Sequence, residues 1–339
     1  MRSAMAFTSR TNFCAFFLAL GAALLGVLLG VLLGAQRVRA QDYPTHAVTL
    51  IVPFPAGGGV DAMGRIVAER LTAALGQQVI VDNRGGAAGV IGTRAAARAA
   101  PDGYTLAMST SGTTSINPSL YTDPGYDPRR DFAPIGLVAV TPIVVMAHPS
   151  FPAKTIAELI ALGRRDGKLD AGAPPPGTEN YLAAELFRAM TALDITIVTY
   201  KGTGPLTNDL VGGHIPIGFN TLAPALGNIE AGSLRAIAVA GPVRSSLLPA
   251  VPTVSESGLA GFEAEVRYGL LAPAGTPRPI VERLNKELGA IMTSDETRKR
   301  IAAQGSDPLV SSPEEYAADI ARETAKWGPL IKRLNLKVE

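Results

Sequence analysis

The stretch Thr49–Leu71, TLIVPFPAGGGVDAMGRIVAERL, changes character twice. An apolar, β-rich run ends at Pro53 and Pro55, three glycines follow at positions 57 to 59, and a helical pattern opens at Asp61. Met63, Ile66, Val67, Leu71, Ala74 and Leu75 recur at three- and four-residue spacing, the signature of a helix with one buried face. Gly76 stands where a left-handed residue closes a helix, and QVIVDN begins the next strand. Strand, glycine turn, helix and strand in this order predict an α/β sheet.

The same alternation runs on through the chain. YTLAM at Tyr104, PIVVMA at Pro142, ITIVTY at Ile195, IPIGFN at Ile215, LRAIAVA at Leu234 and YGLLAP at Tyr268 read as strands. Thr155 with Glu158, and Ser312 with Pro313 and Glu315, are helix-opening capping boxes, and Thr276 before Pro277 reads as a cap with proline at the first helical position. These signals predict α/β lobes with mostly parallel sheets, without an internal repeat or a long low-complexity linker.

Residues 1–40 hold Arg2, Arg10, Arg37 and Arg39, no acid, and an apolar run from Phe13 to Ala35. With the small-x-small ending at Val38–Ala40 they read as an export signal cleaved before Gln41, the alternative being an uncleaved membrane anchor. Removing those four arginines from 31 basic residues leaves 27 against 29 acidic, near net −2, which gives no basis for nucleic-acid or anionic-membrane binding. The only cysteine, Cys14, leaves too, so the exported chain has no disulfide to rely on. About 300 residues suffice for two lobes stabilised by burial alone.

In open α/β sheets ligands sit beyond the carboxyl ends of strands. The glycines at 57 to 59 would let backbone N–H groups approach an anion at a helix start; equally, they would make a tight turn with Asp61 as the helix cap. The loop is neither a G-x-G-x-x-G fingerprint nor a Walker loop, so nucleotide binding is a minor alternative. Catalysis is not expected: without Cys14 there is no thiol, His46, His148 and His214 are isolated, and no Gly-x-Ser-x-Gly elbow occurs. A hydrolase with dispersed residues remains the enzymatic alternative. No cofactor or metal is expected.

Five segments then resemble one family when taken together: Tyr43–Leu71, Val79–Leu106, Val198–Val239, Val251–Glu263 (VPTVSESGLAGFE) and Gly269–Pro277 (GLLAPAGTP). In order and spacing they are similar to the extracytoplasmic solute receptors of tripartite tricarboxylate transporters, the Bug family. The resemblance covers the chain from about Tyr43 to the C-terminal helix. It implies a type II periplasmic-binding-protein fold: two α/β lobes joined by crossing strands, closing on a ligand in the cleft. It places one lobe at residues 43–140 plus 265–339 and the other at 141–264. It implies a receptor that captures small carboxylates or amino acids and delivers them to membrane permease subunits. With the export signal, the charge balance, the lack of a catalytic set and of a long exposed heptad, the chain is expected to be a periplasmic, non-enzymatic monomer with no nucleic-acid partner. A sensory adaptor for the same solutes is the alternative.

Carried over, the first ligand loop maps onto Phe54, Pro55, Ala56, Gly57, Gly58, Val60 and Asp61. The opposing loop, AGAPPPGTENYLAAELF from Ala171, offers Gly177, Thr178, Asn180 and Tyr181, and the next motif offers Tyr200, Lys201 and Gly202. Asn220 and Thr221 follow a strand, and Ser109, Thr110 and Ser111 stand at the end of another, to bind solute or satisfy their own loop. Lys201 either neutralises a carboxylate or is solvated. Tyr181 and Tyr200 either stack on a flat solute or pack within the lobe, and Arg84 organises its own turn.

The chain departs from the family pattern at four places. Pro174, Pro175 and Pro176 remove backbone donors from the opposing loop. Tyr181 replaces a histidine. Asn220 replaces an aspartate, which argues against an α-amino group on the solute and for a plain mono- or dicarboxylate. Arg267 stands before Tyr268 where tryptophan is common, and faces either the cleft, to grip a second carboxylate, or solvent.

Overall fold

The structure, a computed structural model, describes residues 43–338. The expected export signal, its expected cleavage site and Cys14 lie outside the described residues. In chain order the main elements are β1 (Val48–Val52), α1 (Gly59–Leu75), β2 (Val79–Asn83), α2 (Val90–Ala97), β3 (Thr105–Thr110) and β4 (Phe132–Ala147). Then come α3 (Ile156–Asp166), β5 (Leu169–Ala173), α4 (Glu179–Thr191), β6 (Ile195–Thr199), α5 (Thr203–Val211), β7 (Ile217–Thr221) and β8 (Arg235–Val239). The chain ends with β9 (Glu265–Pro273), α6 (Arg278–Thr293), α7 (Asp295–Ala302), β10 (Asp307–Pro308) and α8 (Pro313–Arg333).

The strands run in the order β2-β1-β3-β9-β4-β7-β5-β6, with β8 and β10 pairing β4 off this path. Strand β4 serves two groups. Its first part, Phe132–Pro142, lies antiparallel to β9, whereas Ile143–Ala147 pairs antiparallel with β7 and Val144–Ala147 with β8. The expectation of mostly parallel sheets is thereby corrected: β1–β2, β1–β3, β5–β6 and β5–β7 are parallel, while every pairing of β4 and β9 is antiparallel. The reason is connectivity, since β9 returns to the first group after the second is complete and enters it from the opposite end.

Residues of α1 at the helical spacing face β1, and the fit is close: a Cβ on Gly64 would stand 2.7 Å from Val52. Met63, Ile66, Val67, Leu71 and Leu75 are buried, and Gly76 closes the helix in the left-handed region. One apolar core joins Ile51, Val90, Ala107, Phe132, Leu271 and Tyr316; another joins Val144, Leu206, Leu210, Ile215 and Val239. Phe187, Phe219 and Phe262 pack together between α4 and the second strand group. The side chains of Thr155 and Ser312 accept the N–H groups of Glu158 and Glu315 at the starts of α3 and α8. The expected cap at Thr276 is corrected: α6 begins at Arg278, Pro277 is its cap, and the Thr276 hydroxyl donates instead to the Pro273 carbonyl. Among the described residues no helix is long and apolar enough to cross a membrane.

Candidate functional site

Four strand-to-helix junctions open onto one cavity of about 530 Å³. Its wall combines Phe54–Val60 ahead of α1, Gly86–Gly89 ahead of α2, Pro174, Pro175 and Thr178–Asn180 around the start of α4, and Lys201–Pro205 at the start of α5. Thr110, Thr221, Val266 and Tyr268 complete it. The first N–H groups of a helix have no acceptor within the helix, so α1, α4 and α5 direct donors and the positive ends of their dipoles at this space.

Sequence dictates each junction locally. Gly57 is left-handed (φ +86°), Gly58 is extended (φ −89°, ψ 172°), and the loop is tied down by Asp61. The Asp61 carboxylate accepts from the Gly57 N–H, from Asn83 Nδ2 and from Arg65 Nε, each at 2.9 Å. Burial pushes its pKa up, but the hydrogen bonds from Arg65, Gly57 and Asn83 outweigh burial and hold it below the ordinary value. Asp61 is thus neither cap nor wall: it is the buried anchor that shapes the glycine loop, and the cap position is Gly58. On the opposite side, Thr178 caps α4, accepting the Tyr181 N–H at 3.3 Å and donating to the Pro175 carbonyl at 2.8 Å.

Of the residues singled out from sequence, Phe54, Pro55, Ala56, Gly57, Gly58, Val60, Thr110, Thr178, Asn180, Lys201, Gly202 and Thr221 come together in the wall. Seven do not. Besides Asp61, Ser109 hydrogen-bonds the Gly269 carbonyl and Tyr316, and Ser111 bonds Glu179. Gly177 is at φ +96°, and a Cβ there would stand 2.5 Å from Asn117 Oδ1 and 2.8 Å from the Ala88 Cβ. The Tyr200 hydroxyl donates to Asp209 at 3.0 Å, and burial with that carboxylate pushes it up to about 12. Tyr181 is likewise pushed up to about 12, by burial and by Glu185. Asn220 is fully buried and donates to the Thr203 carbonyl and Thr207 Oγ1, so it holds the start of α5 instead of meeting the cavity.

Arg267 takes neither position expected of it. It lies 3.3 Å from Asp319, 3.4 Å from Glu265 and 3.8 Å from Glu323, packed against α8. Its neighbours Val266 and Tyr268 face the cavity, as alternation along β9 requires. Arg84 does pair with Asp82 in its own turn, at 2.8 Å. Sequence reasoning passed over Glu179, Tyr268, the Gly86–Gly89 turn and Thr203–Pro205. The glycines of the turn and the Gly-Thr-Gly-Pro helix start carried a signal; Glu179 and Tyr268 carried none beyond their place on a strand or helix. Among the described residues no group of three or more His, Cys, Asp or Glu could hold a metal ion.

The family model described as the tripartite tricarboxylate transporter family receptor matches residues 63–336. The chain is similar to Protein BugT of Bordetella pertussis, 35% identical over 307 residues that cover 90% of this chain and 94% of that protein. It is similar to an R. palustris protein solved with adipate (TM-score 0.83, 34% identity, 87% of this chain and 99% of that one). The periplasmic binding protein BugD gives a TM-score of 0.81 at 34% identity, covering 88% of this chain and 100% of that one.

Proposed function

This chain belongs to the tripartite tricarboxylate transporter receptor family of periplasmic solute-binding proteins, and from that premise we propose that it captures a small carboxylate in the cleft and hands it to membrane permease subunits. The observation that carries the reading is the convergence of the α1, α4 and α5 N-termini on one cavity, with Lys201 as the basic side chain in its wall. Such a site holds an anion by backbone N–H groups and helix dipoles. The exported chain acts as a monomer in the periplasm.

In this proposal the lobes are residues 43–140 plus 265–339, and 141–264. The switch of β4 between strand partners at Pro142 and Ile143, and the pairing of Pro142 with Glu265 on β9, support those boundaries. β4 and β9 are the crossing strands about which the lobes close. Solute adds contacts from both sides that only the closed form offers, and closure is favoured by that difference in affinity. Deleting the gene should abolish uptake of the captured carboxylate in cells whose permease is intact, and restoring it should restore uptake. Unchanged uptake would show that the captured solute serves another purpose.

A further inference from the structure

Among the described residues Glu179 is the one acidic side chain in the cavity wall, and nothing in the capture mechanism uses it. It occupies the first position of α4 and is 3% exposed. Its Oε1 accepts from the Ser111 hydroxyl at 2.8 Å and from the Gly112 N–H. Ser111 and Gly112 follow β3 and belong to the first strand group, whereas α4 belongs to the second, so this carboxyl group ties the two sides of the cleft together. Of the three helix starts directed at the cavity, the chain itself has already covered that of α4 with an acid. The starts of α1 and α5, with Lys201, are left for a solute.

Resting on the receptor reading, we propose that Glu179 selects the far end of the solute: the cleft takes a monocarboxylate whose other end donates a hydrogen bond, as a hydroxyl, amide or ammonium does, and disfavours a second carboxylate. A dicarboxylate reaching from α1 to α4 brings its far end against a buried acid. Burial raises the Glu179 pKa, while Ser111, Gly112 and Thr110 all hydrogen-bond its ionised form. A second carboxylate is therefore met by charge repulsion or obliges the pair to take up a proton, and both weaken binding at neutral pH. A donor finds an acceptor instead. This separates the chain from the relative solved with adipate. It also removes the objection to an amino group that Asn220 raised, because Asn220 is spent on Thr203 and Thr207.

The test is calorimetric titration of the purified protein with solutes of matched length: α,ω-dicarboxylates against monocarboxylates ending in hydroxyl, amide or amine. The wild type is expected to bind the best donor-ended monocarboxylate about tenfold or more tightly than its dicarboxylate counterpart. Glu179→Gln, which keeps the shape and removes the charge, is expected to shrink that ratio by about tenfold. A wild type that prefers the dicarboxylate, or a ratio unchanged by Glu179→Gln, overturns this inference alone. Failure of every carboxylate to bind either protein overturns the receptor reading and this inference with it. Should Glu179→Gln fail to fold, the wild-type ratio decides.

Discussion

At the scale of single residues, the glycine loop separates conformation from space. Gly58 is extended, and a Cβ there would meet nothing closer than the Pro55 carbonyl at 3.8 Å. Gly58→Val should therefore still fold, losing no more than about 1 kcal/mol at the cap position, yet lose carboxylate binding, because its methyl groups enter the cavity; retained affinity in the folded variant would remove the loop from the site. Gly57 is the converse, left-handed at φ +86°, so Gly57→Ala should cost about 1–2 kcal/mol in urea unfolding. Asp61 links the loop to pH. Its folded pKa lies below the ordinary value of 3.8, so its contribution to stability is present above about pH 4 and lost as pH falls through the lower folded value. Asp61→Asn should cost about 1–3 kcal/mol at pH 7 and flatten that acid limb, read from urea midpoints across the pH range. The glycines announced this loop from the sequence, whereas the role of Asp61 did not show, because Asn83, which fixes it, reaches it only through the fold, although Arg65 stands one turn along the same helix. Arg267 and Tyr268 make the same point. The sequence drew attention to Arg267, but strand alternation sends it to Asp319 and Glu323 and gives the cavity to Tyr268.

At the scale of elements, local signals read well because they are local. The capping box at Ser312 is formed by residues three apart and is present with both of its hydrogen bonds. The α1 face and its closing glycine were likewise legible from spacing alone. Strand direction was not. β4, and β9 from Tyr268 onward, are nearly continuous apolar runs, and such runs declare burial without declaring which way they lie. Two caps should respond differently. Ser312→Ala should lower stability by about 1 kcal/mol and leave solute affinity unchanged, since α8 stands away from the cavity wall. Thr178→Ala should lower stability by a similar amount and weaken binding as well, because Thr178 both caps α4 and lines the cavity. Equal effects on affinity would contradict the placement of the site at the α4 junction.

At the scale of the whole molecule, β4 passes from one strand group to the other without a break, and β9 runs beside its first part. In the proposed closure β4 and β9 serve as the hinge, and Glu179 with Ser111 and Gly112 supplies contact between the two strand groups. The two-lobed plan was legible from the order of several motifs at once. The chemistry of the cavity was only partly so, since its wall is assembled from four junctions distant in sequence. Capture of a carboxylate in this cleft is tested most directly by a thermal-shift screen of the purified protein with carboxylates beside their neutral amides. A ligand that binds the folded state at a hundredfold excess over Kd adds about 2.7 kcal/mol of stability. Capture at this site predicts a rise in melting temperature with carboxylates, no rise with the matched amides, and loss of the rise in Gly58→Val. Equal shifts with acids and amides, or an undiminished shift in Gly58→Val, would contradict it.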